Sequence, residues 1–376
     1  MLKTYKYRVF PTKKQQTILK NALEECCWLY NHFLEERKNS WEKNKKSLNY
    51  YSQATSLPKL KQIRQSLTIV HSQVLQNVAV RIDLAFKSFF RRVKSGENPG
   101  YPRFKGRNWY DSITYTQTGF KIKNGKLNLS KVGSIKIKLH RRIDGIIKTC
   151  TIRRQTSKWY VCFSCETKIK FLKKSKEVIG IDVGIESFAT LSNDEKIRNP
   201  YFFKTDQKTL AKAQRKLSKQ KKNFSERRKT KEVIGRIHER ITNRRNNFCH
   251  QEAKKLVNRF GIICIEDLNI NRMKENNFRC TKRNINDVAW GQFAQYLSYK
   301  AENAGRTLIK VNPAYTSQTC SKCGYREVKK LFDRIHHCPI CGFETSRDHN
   351  SSLNILALGL QRLNASSRSP VFNFRE

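Results

Sequence analysis

Between residues 312 and 354 the chain reads NPAYTSQTCSKCGYREVKKLFDRIHHCPICGFETSRDHNSSLN, and two kinds of chemistry stand close together there. Cys320 and Cys323 form one Cys-x-x-Cys knuckle and Cys338 and Cys341 a second, with fourteen residues between them. Four thiolates at this spacing satisfy tetrahedral Zn²⁺ and leave no open position, so the expected role of the metal is structural. Seven residues past Cys341, Asp348 opens a segment that reads as a helix. A carboxylate at that point belongs to other chemistry, and the question is which acidic residues join it. His336 and His337 adjoin Cys338 and could replace a thiolate; the expectation is that they, with Lys322, Arg326, Lys329 and Lys330, face nucleic acid.

Two further acidic residues occupy telling positions. Asp182 lies in the middle of an apolar strand, EVIGIDVG, where an unpaired charge is costly. Glu266 ends another, GIICIE. A meander strand, a later strand and a C-terminal helix each donating one carboxylate to one spot is the arrangement of an RNase H/RuvC-like fold. Clustered carboxylates repel one another unless hard cations sit between them, so the set implies two Mg²⁺ or Mn²⁺. Two such ions ~3.5–4 Å apart activate a water and stabilise the leaving 3′ oxygen in phosphodiester hydrolysis. An ion-paired structural triad is the competing reading, because structural networks also perturb carboxylates. Asp206 and Asp267 read as surface charges, and Glu186 as a turn cap.

The elements that must position these residues show in the periodicity. Residues 2–10 alternate as a strand that Pro11 and Thr12 end. Leu19, Leu23, Cys26, Tyr30 and Phe33 recur at helical spacing, as do Leu75, Val78, Ile82, Phe86 and Phe89, with a break near Tyr50, Tyr51 and Pro58. A Pro/Gly-punctuated exit at 98–108 carries Arg103 and Lys105 among aromatics. From 112 to about 170 the period becomes two, with Asn124-Gly125 a hairpin turn, which predicts a small barrel or sandwich partnered by strand 2–10. Cys162 and Cys165 also form a Cys-x-x-Cys, but a strand puts them on opposite faces, so they read as structural. Beyond residue 176 come a three-strand meander, a basic helical stretch over 204–245, the strand 261–268, a helix over 289–305 ending at Gly305, a strand at 306–313 and the final helix. The polar end after residue 361 reads as loose.

Charge narrows the partner. Against 77 Lys and Arg stand 30 Asp and Glu, a net +47 that needs a polyanion to relieve self-repulsion. Residues 204–245 alone hold sixteen Lys/Arg against four Asp/Glu. Arg215, Lys216, Lys221, Lys222, Arg227 and Arg228 in that stretch are candidate phosphate contacts. No apolar run approaches the ~18 residues that cross a bilayer, so no membrane partner is expected. MLKTYKYRVF has no apolar core of a secretory leader. The twelve cysteines are therefore expected in a reducing cell interior.

Taken together these residues resemble the TnpB (OrfB) family of RNA-guided nucleases from bacterial insertion sequences, related to type V CRISPR effectors. The resemblance covers nearly the whole chain: FPTKKQQTILKNALEECCWLYNHFL, IGIDVGIESFATLS, IEDLNINRM and NPAYTSQTCSKCG…CPICG…RDHNSSLNI. Ser351 and Ser352 stand where the family commonly has two alanines. The resemblance implies an α+β multidomain protein. A wedge-type β-barrel occupies 1–11 and 111–175, with a helical recognition lobe (12–110) inserted. A RuvC-like nuclease domain follows (176–311 and 344–362), with an inserted zinc ribbon (312–343), and a flexible tail (363–376). It implies Asp182, Glu266 and Asp348 as the catalytic, Mg²⁺-binding triad, and Cys320, Cys323, Cys338 and Cys341 as zinc ligands. Tyr51 and Gln76 align with positions that contact the transposon-adjacent motif. The implied activity is cutting of double-stranded DNA beside that motif, by a monomeric complex whose guide RNA comes from the transposon's right end. The resemblance also implies a cytoplasmic, nucleoid-associated place in a bacterium. A guided DNA-binding regulator that does not cut, and a protein-only resolvase or transposase, are the alternatives.

Overall fold

The computed structural model describes residues 1–106, 109–169, 171–275, 277–330 and 333–368. Residues 107–108 of the Pro/Gly exit and 369–376 of the expected tail lie outside these. The chain divides into two compact units, Met1–Lys168 and Ile169–Glu376.

The first unit begins with β1 (Leu2–Phe10), whose inward residues Tyr5, Tyr7 and Val9 are buried. Helix α1 (Lys13–Asn44) follows immediately because Thr12 and Gln15 form a capping box across its first turn. The break expected near Tyr50 and Pro58 contains α2 (Tyr50–Thr55), α3 (Leu57–Ile63) and a 3₁₀ turn at Gln65–Ile69 before α4 (Ser72–Lys94). All five predicted positions on α1 are buried, and Leu75, Val78 and Ile82 on α4 join them in one core.

Strands β2 (Ser112–Tyr115), β3 (Phe120–Lys123), β4 (Lys126–Leu129), β5 (Gly133–Lys138), β6 (Ile146–Gln155) and β7 (Lys158–Glu166) complete that unit. Their sheet is antiparallel throughout, in the order β2-β6-β7-β1-β5-β4-β3. The N-terminal strand thus sits between β7 and β5, as expected. Strands β2 and β3 remain edges, so among the described residues the sheet is a half-barrel and not a closed one. Asn124 (φ 50°) and Gly125 (φ 66°) make the two-residue hairpin turn, since both central residues must be left-handed there. On β7, Cys165 is buried and Cys162 faces the other way, so the pair cannot chelate one ion.

The second unit is built on β8 (Val178–Asp182), β9 (Ser187–Leu191), β10 (Lys196–Arg198), β11 (Ile262–Glu266) and β12 (Thr307–Val311), ordered β10-β9-β8-β11-β12. The meander strands pair antiparallel, whereas β8, β11 and β12 run parallel. Parallel neighbours need crossovers. Helices α5 (Phe202–Lys219) and α6 (Ser225–Arg259) supply one. Helices α7 (Ile270–Glu275), α8 (Arg279–Val288) and α9 (Trp290–Ala304) supply the other, and Gly305 (φ 67°) ends α9 as read from the sequence. The basic stretch is therefore two helices, and α7 and α8 are elements that the periodicity did not reveal.

Strand β11 shows why its sequence has no alternation: Ile263 and Ile265 face a core with α6 and α9, while Cys264 faces the opposite core with Ile309, Val311 and Ile355. The second face is covered by α10 (Arg347–Arg368), which follows the short hairpin β13 (Ile335–His337) and β14 (Glu344–Ser346). Helix and sheet touch backbone to backbone. A Cβ on Gly180 would lie 2.1 Å from the Ser352 carbonyl oxygen, and one on Gly359 would lie 2.2 Å from Cys264 Sγ. Ser351 and Ser352 are buried there, so the small size they share with alanine is what the packing uses. The tail read as loose from residue 363 is instead helical to Arg368. Leu363 lies seven residues past Leu356 on the same face, and both pack against the Cys264 core.

Candidate functional site

The three carboxylates arrive from three elements. Asp182 is the last residue of β8, not its midpoint as the apolar run suggested, and Glu266 is the last of the adjacent parallel strand β11. Asp348 stands in the first turn of α10, where a helix N-terminus favours negative charge. A Cβ built on Gly184, in the β8–β9 turn, would come within 4.0 Å of Asp348 Oδ2, so that turn closes on the same spot.

Their electrostatics bear on Asp182. Burial pushes the Asp182 carboxyl well above the usual range, and the negative charges of Glu266 and Asp348 add to the push; Arg347 and the Val183 backbone N–H oppose it. Glu266 is also raised by burial, against a hydrogen bond from Thr316. Buried carboxyls facing one another hold protons unless cations replace them. Among the described residues the only group of three or more Cys, His, Asp or Glu whose ligand atoms all lie within 4.8 Å is the cysteine quartet. The carboxylates offer oxygens of the hard kind that Mg²⁺ and Mn²⁺ take.

Thr316 is a site residue that spacing and charge did not single out. It is 4% exposed, and its hydroxyl donates to Glu266 Oε1 at 2.6 Å. Asn354 Nδ2 donates to the carbonyls of Thr316 (2.9 Å) and Thr319 (2.7 Å). Asn350, fully buried, donates to Thr319 O and accepts from the Ser321 backbone. The i, i+4 asparagines of DHNSSLN thus tie the first knuckle to the helix bearing Asp348. That spacing was the available signal.

The quartet itself is compact. Cys320 Sγ lies 3.7 Å from Cys341 Sγ, and Cys323 Sγ 3.5 Å from Cys338 Sγ. Zn–S bonds of about 2.3 Å in a tetrahedron put sulfurs about 3.8 Å apart, so the residues fit the ion. The Cys341 backbone N–H, seconded by that of Ile340 and against a desolvation cost, holds Cys338 down at about 6. On Cys323 the Tyr325 N–H likewise pulls down, yet desolvation and the three neighbouring thiols push it up to about 12. The thiols share protons that a bound cation displaces.

The expected nucleic-acid contacts separate into two groups. Arg103, Lys105, Arg215, Lys216, Lys221, Lys222 and Arg228 are exposed, as are Gln76 on α4 and Tyr51 on α2, the last 74% exposed. Lys105 is also held by its backbone to Asn31, with its ammonium 5.7 Å from the Tyr30 ring centroid. Arg227 is different: its guanidinium donates to the carbonyls of Leu217 (2.5 Å) and Gln220 (2.7 Å), satisfying the end of α5. It is a helix tie rather than an outward cation. His336 is likewise buried instead of facing out, with Lys329 on its Nδ1, because its strand packs it inside the hairpin; His337 is exposed and pairs with Glu344. Asp206 is buried under Arg240 and Arg244 and is no surface charge.

Three family profiles match the chain: "Helix-turn-helix domain" over residues 1–46, "Probable transposase" over 160–277 and "Cas12f1-like, TNB domain" over 290–355. The first covers β1 and one unbroken helix here. A "Putative RNA-guided DNA endonuclease" of Streptomyces pristinaespiralis is 32% identical over 95% of this chain and 89% of its own length. The Escherichia coli "Putative RNA-guided DNA endonuclease InsQ" is 29% identical over 95% and 92%. In fold, the chain resembles Cas12f1 in its complex with single guide RNA and target DNA, with a TM-score of 0.62 at 16% identity, covering 94% of this chain and 98% of that one. Identity of that extent over nearly the full length of both proteins shows the relationship, and the chain belongs to the TnpB (OrfB) family.

Proposed function

We propose that the chain is a transposon-encoded, RNA-guided DNA endonuclease that hydrolyses phosphodiester bonds at Asp182, Glu266 and Asp348. The observation that carries this reading is the convergence of these three carboxyls, two at the ends of the paired strands β8 and β11 and the third beside the β8–β9 turn, in a chain aligned over nearly its whole length with relatives named RNA-guided DNA endonucleases. The strand order β10-β9-β8-β11-β12, antiparallel then parallel, with carboxylates at the ends of its two central strands, supports an RNase H/RuvC-like nuclease domain.

The three carboxylates would hold two Mg²⁺ or Mn²⁺, hard cations that take such oxygen ligands. When bound, such a pair activates water and stabilises the departing 3′ oxygen. The chain's own part is to place the ligands. The last residues of neighbouring parallel strands fix Asp182 and Glu266, the helix start fixes Asp348, and Thr316 sets which Glu266 oxygen is free. Arg347, 3.9 Å from Asp348, adds the positive charge that opposes proton retention by Asp182. Zn²⁺ in the quartet would hold the ribbon's shape and take no part in hydrolysis.

The exposed cations fit a guide RNA from the transposon end and a DNA target, with sequence read by base pairing. Tyr51 and Gln76 are the residues we assign to the adjacent motif; a glutamine can bond adenine bidentately. The domain limits implied by the family resemblance are retained, with the final helix extended to Arg368. In a plasmid-cleavage assay with the co-purified RNA, Asp182→Ala should abolish cutting while target binding persists. Unimpaired cutting by that variant overturns the site.

A further inference from the structure

A cleft of about 420 Å³ lies at the carboxyl ends of the parallel strands β8, β11 and β12. Open sheets of this kind place ligands there, and the size falls in the range of about 300–1,000 Å³ typical of small-molecule sites. Glu266 forms part of its wall, as does Val183, the neighbour of Asp182. Another wall is one face of α9, where Gly291, Ala294, Ser298 and Glu302 recur at helical spacing.

What fits this cleft follows from its charge and shape. Glu266, Asp267 and Glu302 all border it; the single lysine of the lining, Lys310, is already bound to Asp267 at 3.0 Å. A phosphate is repelled by such a lining. A flat, uncharged group with amino donors is favoured, and the exposed Tyr299 ring provides apolar surface beside the acidic groups. The α9 face is kept small where fold packing does not require it. A Cβ on Gly291 would meet only Ile270 Cγ1, at an ordinary 3.6 Å.

We propose that this cleft receives one nucleobase of the DNA strand being cut, turned out from its neighbours so that its own phosphate reaches the carboxylates. The proposal rests on the nuclease reading above and adds a base subsite to it. A base held there fixes the strand's register at the cut without reading a long sequence, since stacking accepts any base.

The test is a walk of single abasic nucleotides across the cut site of a target DNA, using the protein with its co-purified RNA. One position should slow cutting by about 10-fold or more, in line with the loss of a stacked base. Ser298→Leu, a substitution at an exposed position that fills the cleft, should slow intact DNA to the same rate and show no further loss with the abasic strand. A second readout avoids catalysis. In the Asp182→Ala complex, 2-aminopurine at the sensitive position should change its fluorescence on binding, and adding Ser298→Leu should remove that change while target affinity stays within about 2-fold. Ala294→Leu should reproduce these results if Ser298→Leu folds poorly. If no position is sensitive, or Ser298→Leu keeps full sensitivity, the base subsite is wrong. Cutting that depends on Asp182 but ignores abasic nucleotides rejects the subsite alone; cutting that survives Asp182→Ala rejects the nuclease centre itself.

Discussion

The cysteine quartet and the carboxylate centre lie in the same unit, yet they solve opposite problems. The quartet brings four soft ligands within 4.8 Å and turns backbone N–H groups onto its sulfurs, so the ligand set is closed. The carboxylates are held at the ends of separate elements, and two of them are pushed toward the protonated state by burial. A closed set stores stability, whereas an open, strained set keeps coordination positions for a substrate. Thr316 joins the two regions, reaching Glu266 from the segment that leads into Cys320.

The largest effect should come from the open centre. Asp182→Ala is expected to reduce cutting by about 10²–10³-fold or more, the scale of losing a group aimed at transition-state charge, with RNA and target binding unchanged. Cleavage time courses at saturating Mg²⁺ measure it. The closed centre should fail differently. Cys320→Ser with Cys323→Ser is expected to release zinc, read by elemental analysis, and to lower target affinity as well as cutting. If the parent protein contains no zinc, the contrast between a structural and a catalytic centre collapses.

How much of this contrast was legible in the sequence depended on the range of the signal. The quartet was legible because its ligands lie within 22 residues and thiolate spacing has few other uses. Asp182 and Glu266 were visible as charges at apolar strands, and Asp348 as an acid opening a helix. That they converge depends on β8 lying beside β11, a pairing over more than eighty residues that no local pattern contains. Helices α7 and α8 are hard to see because RMKENNFRCTKRNIND has few apolar residues to mark a buried stripe; in α8 only the burial of Ile285 and Val288 shows it. Arg227 and His336 look like outward charges in the sequence because composition cannot say that one finds carbonyl partners and the other is packed inside a hairpin. Thr316 looked like any hydroxyl in a polar loop.

Thr316 is where the comparison can be sharpened. Thr316→Val keeps the shape and removes the donor, leaving Glu266 free to rotate. Activity and Mn²⁺ affinity should fall by roughly 10-fold, at the lower end of losses for groups that orient metal ligands. Thr316→Ser should restore both, since the hydroxyl is retained. Zinc content should not change in either variant, which separates loss of orientation from loss of the ribbon. A Thr316→Val protein with unaltered Mn²⁺ affinity would show that the two regions are neighbours without being coupled.

The smallest expected effect concerns proton retention. In the absence of Mg²⁺ and Mn²⁺ the folded Asp182 carboxyl titrates above its unfolded value, so the folded state binds more protons than the unfolded one through that interval. The stability it contributes is complete below the unfolded value, about 3.9, and is lost as pH rises through the raised folded value. Asp182→Asn mimics the protonated side chain at every pH. With zinc retained and no other divalent ion present, its Tm should match the parent near pH 4 and exceed it increasingly toward pH 8. The gap should reach a few degrees, since about 1 kcal/mol moves Tm by roughly 2–4 °C in a domain of this size. Adding Mg²⁺ should stabilise the parent and leave the variant nearly unchanged, because only the ionised carboxyl offers the ion its ligand. A variant whose Tm gap is constant across pH would mean that Asp182 is already ionised in the folded protein, and that Glu266 and Asp348 do not act on it.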